Sequence, residues 1–215
     1  MSSVQTHGPD TGQPRKVLFI ENSIGLSGST MSLCTLLAEL DRGQYAPRVV
    51  LSLPNQQEYL AQAVGPSVPT TVVPWQNSLK STPWIRSLLA RSLRYPRLPR
   101  RILTGGVAAL DVPAVILPYV RRLYRIARHW GIEMIHHNNG LDVRAVLLAK
   151  WLRVPLIAYQ RGTEWDSPTV RYISRFVDAY VANSTATKDV LLKLGLPSER
   201  IEVIYPPIDC ERFHP

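Results

Sequence analysis

From Lys16 onward the chain alternates short apolar runs with segments of helical spacing, and glycine or polar pairs mark the joints between them. Lys16–Glu21 (KVLFIE) leads into the turn NSIGLSGST, after which Leu33, Leu36, Leu37 and Leu40 recur at intervals that make one helix face. Val49–Leu53, Asn55–Val64 and Thr70–Val73 repeat the order strand, helix, strand. Further strands are expected at Met134–His137, Leu156–Tyr159, Ala179–Ala182 and Ile201–Ile204, with helices at Leu141–Leu152 and Pro168–Phe176. Apolar runs this short and this free of polar alternation suit a parallel sheet buried on both faces. The expected class is therefore α/β, a Rossmann-like parallel sheet with helices on both faces.

The last unit is the most sharply punctuated. After Ala179–Ala182, Asn183 and Ser184 can cap a helix whose Thr187, Val190, Leu191 and Leu194 share a face. Gly195 closes that helix, Pro197 forbids its continuation, and Pro206 and Pro207 end the following strand. This run, from Ala179 to Pro215, resembles the end of the amino-terminal domain of the retaining GT-B glycosyltransferases of family 4, through NS, LG, RI, VI and the closing Pro207, Ile208, Asp209, Arg212, Phe213 and Pro215. The resemblance implies that residues 15–207 form the amino-terminal, acceptor-binding half of such an enzyme, that 208–215 begin an interdomain linker, and that a carboxyl-terminal domain, in cis or on a partner chain, supplies the nucleotide pocket. It also implies a nucleoside diphosphate sugar as donor, a sugar or lipid-linked acceptor, no cofactor and no required metal. On that reading this chain alone would be inactive. Residues 1–14, rich in Ser, Thr, Gly, Gln and Pro, read as a disordered tail.

Composition sharpens two points. The net charge of +9 is concentrated in residues 75–130, which hold eleven Lys or Arg against one acid, Asp111. This stretch is too long for an ordinary crossover and reads as a basic helical insertion. Over Thr82–Tyr95 a helical wheel separates Trp84, Ile85, Leu88, Leu89 and Leu93 from Arg86, Arg91 and Arg94, and Arg97, Arg100 and Arg101 follow without an acid. A basic amphipathic helix flanked by tryptophan fits an anionic membrane surface, or else a helix packed on the sheet with a solvated cationic face. Nucleic acid is not expected, because no recognised binding motif accompanies the charge. In Tyr119–Trp130 a second helix would turn Val120, Leu123, Tyr124 and Ala127 to the core. The two cysteines, Cys34 and Cys210, are too few for a disulfide framework, and the polar first residues lack a secretory apolar core. A cytoplasmic setting, peripheral at the inner face of the plasma membrane, follows as an expectation; no apolar run reaches the roughly 18 residues a membrane span needs.

Chemistry in an open parallel sheet gathers beyond the carboxyl ends of the strands. After the first strand stand Gly25, Ser27, Gly28 and Ser29, a glycine loop serving either tight-turn geometry or contact with the donor phosphate and the acceptor. After the fourth come His136, His137, Asn138, Asn139 and Gly140: paired histidines without a third zinc ligand nearby, so the readings are helix capping by an asparagine or contact with the acceptor. After the fifth come Gln160, Arg161, Gly162, Thr163, Glu164, Trp165 and Asp166. Arg161 pairs there with Glu164 or Asp166 across the loop, or faces a phosphate or sugar carboxylate while an acid orients hydroxyls. Family 4 members commonly carry a histidine where Arg161 stands; an arginine cannot take over as a base. The catalytic candidates are thus Arg161, Glu164 and His137, and Asn183 and Ser184 complete the acceptor set.

Overall fold

The computed structural model describes residues 12–23, 25–74, 87, 109–162 and 167–206. Seven strands, β1 (Arg15–Glu21), β2 (Tyr45–Leu51), β3 (Thr70–Val72), β4 (Met134–His137), β5 (Leu156–Gln160), β6 (Ala179–Ala182) and β7 (Ile201–Val203), form one sheet in the order β3-β2-β1-β4-β5-β6-β7. Every adjacent pair is parallel. The order reverses at β1, so β1 and β4 are neighbours although a long crossover separates them in sequence.

Among the described residues the connecting α-helices are α1 (Gly28–Glu39), α2 (Pro54–Val64), α3 (Leu117–Trp130), α4 (Val143–Leu152), α5 (Pro168–Ser174) and α6 (Thr185–Lys193). Two cores result. Val17, Phe19, Val49 and Leu51 pack under Leu33, Leu37 and Leu60 of α1 and α2 on one face. Leu18, Ile20, Ile135, Ala158 and Tyr180 pack under Val120, Leu123, Leu148 and Leu191 of α3, α4 and α6 on the other. The expected helices on both faces of a Rossmann-like sheet are present.

Several boundaries differ from expectation. β2 begins at Tyr45 and stops at Leu51, because Ser52 and Leu53 turn away to bond the side chain of Gln56 in the first turn of α2. Pro47 and Arg48 masked the start of that strand, yet both pair with β1. Helix α3 starts earlier than Tyr119, following a π-helical turn at Val112–Ile116. Its four buried residues include Val120, Leu123 and Ala127, as the spacing required. The amphipathic stretch with Trp84, Arg86, Arg91, Arg94, Arg97, Arg100 and Arg101, and the linker 208–215, lie outside the described residues. Among the described residues no helix is long and apolar enough to cross a membrane.

Candidate functional site

Parallel strands bring their carboxyl ends to one edge of the sheet, and the ends of β1, β4, β5 and β6 here release polar side chains. Alternation along β1, β4 and β5 puts Phe19 and Glu21, His136 and Asn138, and Tyr159 and Arg161 on the same face. The apolar members stack below, His136 between Phe19 at 5.0 Å and Tyr159 at 6.1 Å. The polar members meet above them.

Glu21 is the centre of that upper layer and is only 1% exposed. Its Oε1 accepts from the Ser23 backbone N–H at 2.9 Å, the Ser29 hydroxyl at 3.1 Å and Asn139 Nδ2 at 2.5 Å, and Oε2 accepts from Asn138 Nδ2. Four donors around one buried carboxylate satisfy its hydrogen-bonding capacity. Asn138 is wholly buried, its Nδ2 also donating to the Ser29 carbonyl at 3.0 Å and its Oδ1 accepting from Arg161 Nη2 at 2.8 Å. Arg161 Nε donates to the Asn138 carbonyl at 3.0 Å, and its guanidinium carbon lies 4.0 Å from the centre of the Tyr159 ring. Asn183 Nδ2 donates to the Arg161 carbonyl at 3.3 Å, and its Oδ1 accepts from Thr187 at 2.6 Å. Four strand ends are thereby tied into one network.

The capping expectation for Asn138 and Asn139 is corrected. Asp142 caps α4, accepting from the Arg144 backbone N–H at 2.6 Å, and both asparagines serve Glu21 instead. Ser184 caps α6 as expected, accepting from the Thr187 N–H at 3.2 Å. The glycine loop also reads differently in three dimensions. Gly25, at φ +116, is the turn residue, whereas Gly28 opens α1. Ser27 occupies the cap position of α1 without capping it; its hydroxyl meets Ser29 at 2.7 Å. The first N–H groups of α1 are left without a side-chain acceptor, the condition under which a helix start attracts an anion. Gln56 steadies the loop from α2, donating to the Ser23 and Gly25 carbonyls at 3.1 and 3.0 Å.

His136 and His137 point to opposite faces of β4, so they do not act as a pair. Burial, then the neighbouring His137 and Arg161, push the His136 pKa down to about 3. The Gly140 carbonyl can only accept, so His137 Nδ1 donates to it at 2.8 Å, and the buried Nε2 has no partner among the described residues. Burial also lowers the Arg161 pKa, with Tyr159 and Glu21 acting against the shift. Glu164 and Asp166 lie outside the described residues. Gly162 is exposed and accepts from Gln160 at 2.9 Å. Among the described residues no group of three or more His, Cys, Asp and Glu is placed to hold a metal ion. Two shallow surface depressions, one beside Pro155 and Asp178 and one beside Ser174 and Pro197, lie at the opposite edge of the sheet and share nothing with this network.

The sequence reading missed Glu21 and Gln56. The signal for Glu21 was present: an acid closing an apolar strand directly before a glycine loop.

A family model described as Glycosyltransferase Family 4 matches residues 26–212. The chain belongs to Glycosyltransferase Family 4. Among solved structures, this family 4 chain is similar to HepE of Anabaena in complex with UDP-glucose, at 19% identity and a TM-score of 0.58, over 91% of this chain and 45% of that one. A glycosyltransferase from Rickettsia africae matches at 14% identity and a TM-score of 0.61, over 94% and 45% of the two chains. MurG of Acinetobacter baumannii matches at 12% and 0.54, over 91% and 47%. At these identities the likeness is one of fold, that of GT-B glycosyltransferases. The family 4 chain spans just under half the length of each of these structures. No curated protein sequence matches it.

Proposed function

We propose that this chain is the acceptor-binding half of a retaining glycosyltransferase that moves a hexose-type sugar from a nucleoside diphosphate sugar to a hydroxyl, in the synthesis of a cell-surface polysaccharide or glycolipid. The observation that carries the reading is the single hydrogen-bonded layer in which Glu21, Asn138, Asn139, Arg161 and Asn183 meet at the carboxyl edge of a family 4 sheet. UDP-glucose bound to a protein of the same fold supports a nucleotide sugar as donor.

On this reading the half-buried Ser29, Asn139 and Asn183 offer donors and acceptors to sugar hydroxyls, and the uncapped start of α1 at Gly28 faces the donor diphosphate. Glu21 is saturated by its four donors and acts by holding the asparagines in place. His136, stacked between Phe19 and Tyr159, supports the layer from beneath. Arg161 acts through charge, since it keeps its proton at any working pH. Catalysis by such a site rests on placing the hydroxyl and stabilising the leaving diphosphate rather than on a protein base. No metal is needed, and the nucleotide is held by a carboxyl-terminal GT-B half.

The test is transfer of label from radioactive UDP-sugars to a membrane lipid extract, with this chain alone and with a carboxyl-terminal half of the family. Transfer only in the second case, with the anomeric configuration of the sugar kept, is the expected result. No transfer in either, or an inverted product, would sink the reading.

A second reading, a membrane-docking module without catalysis, draws on α3. Its Arg121, Arg122, Arg125 and Arg128 are all exposed, on a helix without an acid. Near an anionic leaflet each contributes about 1 kcal/mol. Sedimentation with phosphatidylglycerol vesicles should fall sharply when these four become Glu; binding that ignores lipid charge would rule the docking out.

A further inference from the structure

Arg161 leaves β5 as a half-buried cation whose direction is fixed on three sides. Nε and Nη2 both donate to Asn138, to its carbonyl at 3.0 Å and its side-chain oxygen at 2.8 Å, and the Tyr159 ring supports the guanidinium from below at 4.0 Å. Asn138 in turn has one possible orientation. A carboxylate only accepts and a guanidinium only donates, so its amide nitrogen must face Glu21 and its amide oxygen Arg161. A buried acid, an amide and an arginine thus form a chain that ends on the remaining guanidinium hydrogens. Nη1 and the second hydrogen of Nη2 have no acceptor among the described residues, and Glu21 is already filled by its four donors.

We propose that this free edge of Arg161 binds an oxyanion carried by the substrate, a carboxylate or a phosphate, with Asn138 and Glu21 as positioning residues that aim it. The inference rests on the strand-end layer being the substrate site, as proposed above, and names the chemical class that layer selects. A planar fork of N–H groups matches two oxygens of either group, and a side chain already immobilised loses no further freedom on binding. A lysine at the same place would lack the two-point clamp on Asn138. Two sources offer this chemistry: an acidic or phosphorylated acceptor sugar, and the diphosphate of the donor.

The test uses the full chain and four probes, methyl glucuronide, glucose 1-phosphate, UDP and the neutral methyl glucoside, with affinities read by saturation-transfer NMR. The wild type is expected to bind methyl glucuronide or glucose 1-phosphate about tenfold more tightly than methyl glucoside. Arg161→Gln should remove that preference and leave the glucoside unaffected, while Arg161→Lys restores part of it. If UDP alone weakens in Arg161→Gln, the oxyanion belongs to the donor; if the sugar probes weaken, it belongs to the acceptor. Probes that bind folded Arg161→Gln as they bind the wild type overturn the proposal. Should that variant not fold, the Arg161 Nε resonance of the wild type decides: it shifts on titration with inorganic phosphate, or the proposal falls. Failure of sugar transfer would count against the function proposed above and leave these binding results intact. Active transfer with no dependence on acceptor or donor charge at Arg161 would count against this inference alone.

Discussion

Glu21 shows how one buried side chain can tie the ends of β1 and β4 together. Its carboxylate accepts four hydrogen bonds, two of them from neighbouring residues of one segment more than a hundred positions away in sequence. Replacing it by Gln turns one oxygen into a donor that faces other donors. Glu21→Gln is expected to lower unfolding stability by about 1–3 kcal/mol, read as a drop in the urea midpoint. His136 makes a second residue-scale prediction. Its pKa in the fold lies near 3, below the ordinary 6.5, so the fold favours the neutral ring. That contribution is complete above about pH 6.5 and is lost as pH falls toward 3. Between about pH 7.5 and about pH 5 the wild type should therefore lose stability that His136→Phe, with its ring between Phe19 and Tyr159, retains. Equal losses in the two proteins would refute the assignment. Individual strand-end residues were legible before the structure because each follows an apolar run. What they bond to was not: nothing local to Asn138 says that an acid from β1 will lie beside it, so a capping role was the natural local reading.

At the level of elements, the same local signal gave different outcomes. Ser27 and Ser184 both stand at the start of a helix in extended backbone, but only Ser184 bonds a free N–H of its helix. Ser184→Ala should cost about 1 kcal/mol in thermal or chemical unfolding. Ser27→Ala should cost clearly less, because the hydroxyl it removes meets Ser29 rather than the helix. The pattern of strands and helices was readable almost throughout, since β5 and β6 are short and largely apolar runs. The start of β2 was hidden because Tyr45, Pro47 and Arg48 do not look buried in sequence, and only pairing with Arg15, Val17 and Leu18 makes them strand residues. Likewise Gln56 reads as a surface position of α2, yet it is fully buried as the staple of the Gly25 turn.

For the whole molecule, the reversal of strand order at β1 has the largest effect. It brings β1 and β4 together and so places the glycine turn, the paired asparagines and Arg161 along one rim, which the sequence implied only through the general habit of parallel sheets. The helix α3, with its exposed arginines, lies on the other face from α1 and α2, so its charge is presented apart from the glycine turn.

The sheet also ends in a particular way. Its outermost members, β3 and β7, are each three residues long, and β7 carries a lone acid, Glu202, near its middle. Ribbons this brief give a second copy little main chain to zip onto, so growth into fibres by lateral addition is disfavoured. Expressed by itself, the chain should elute as a single-copy species in light scattering across a broad concentration range, leaving its rim open for whatever closes over it.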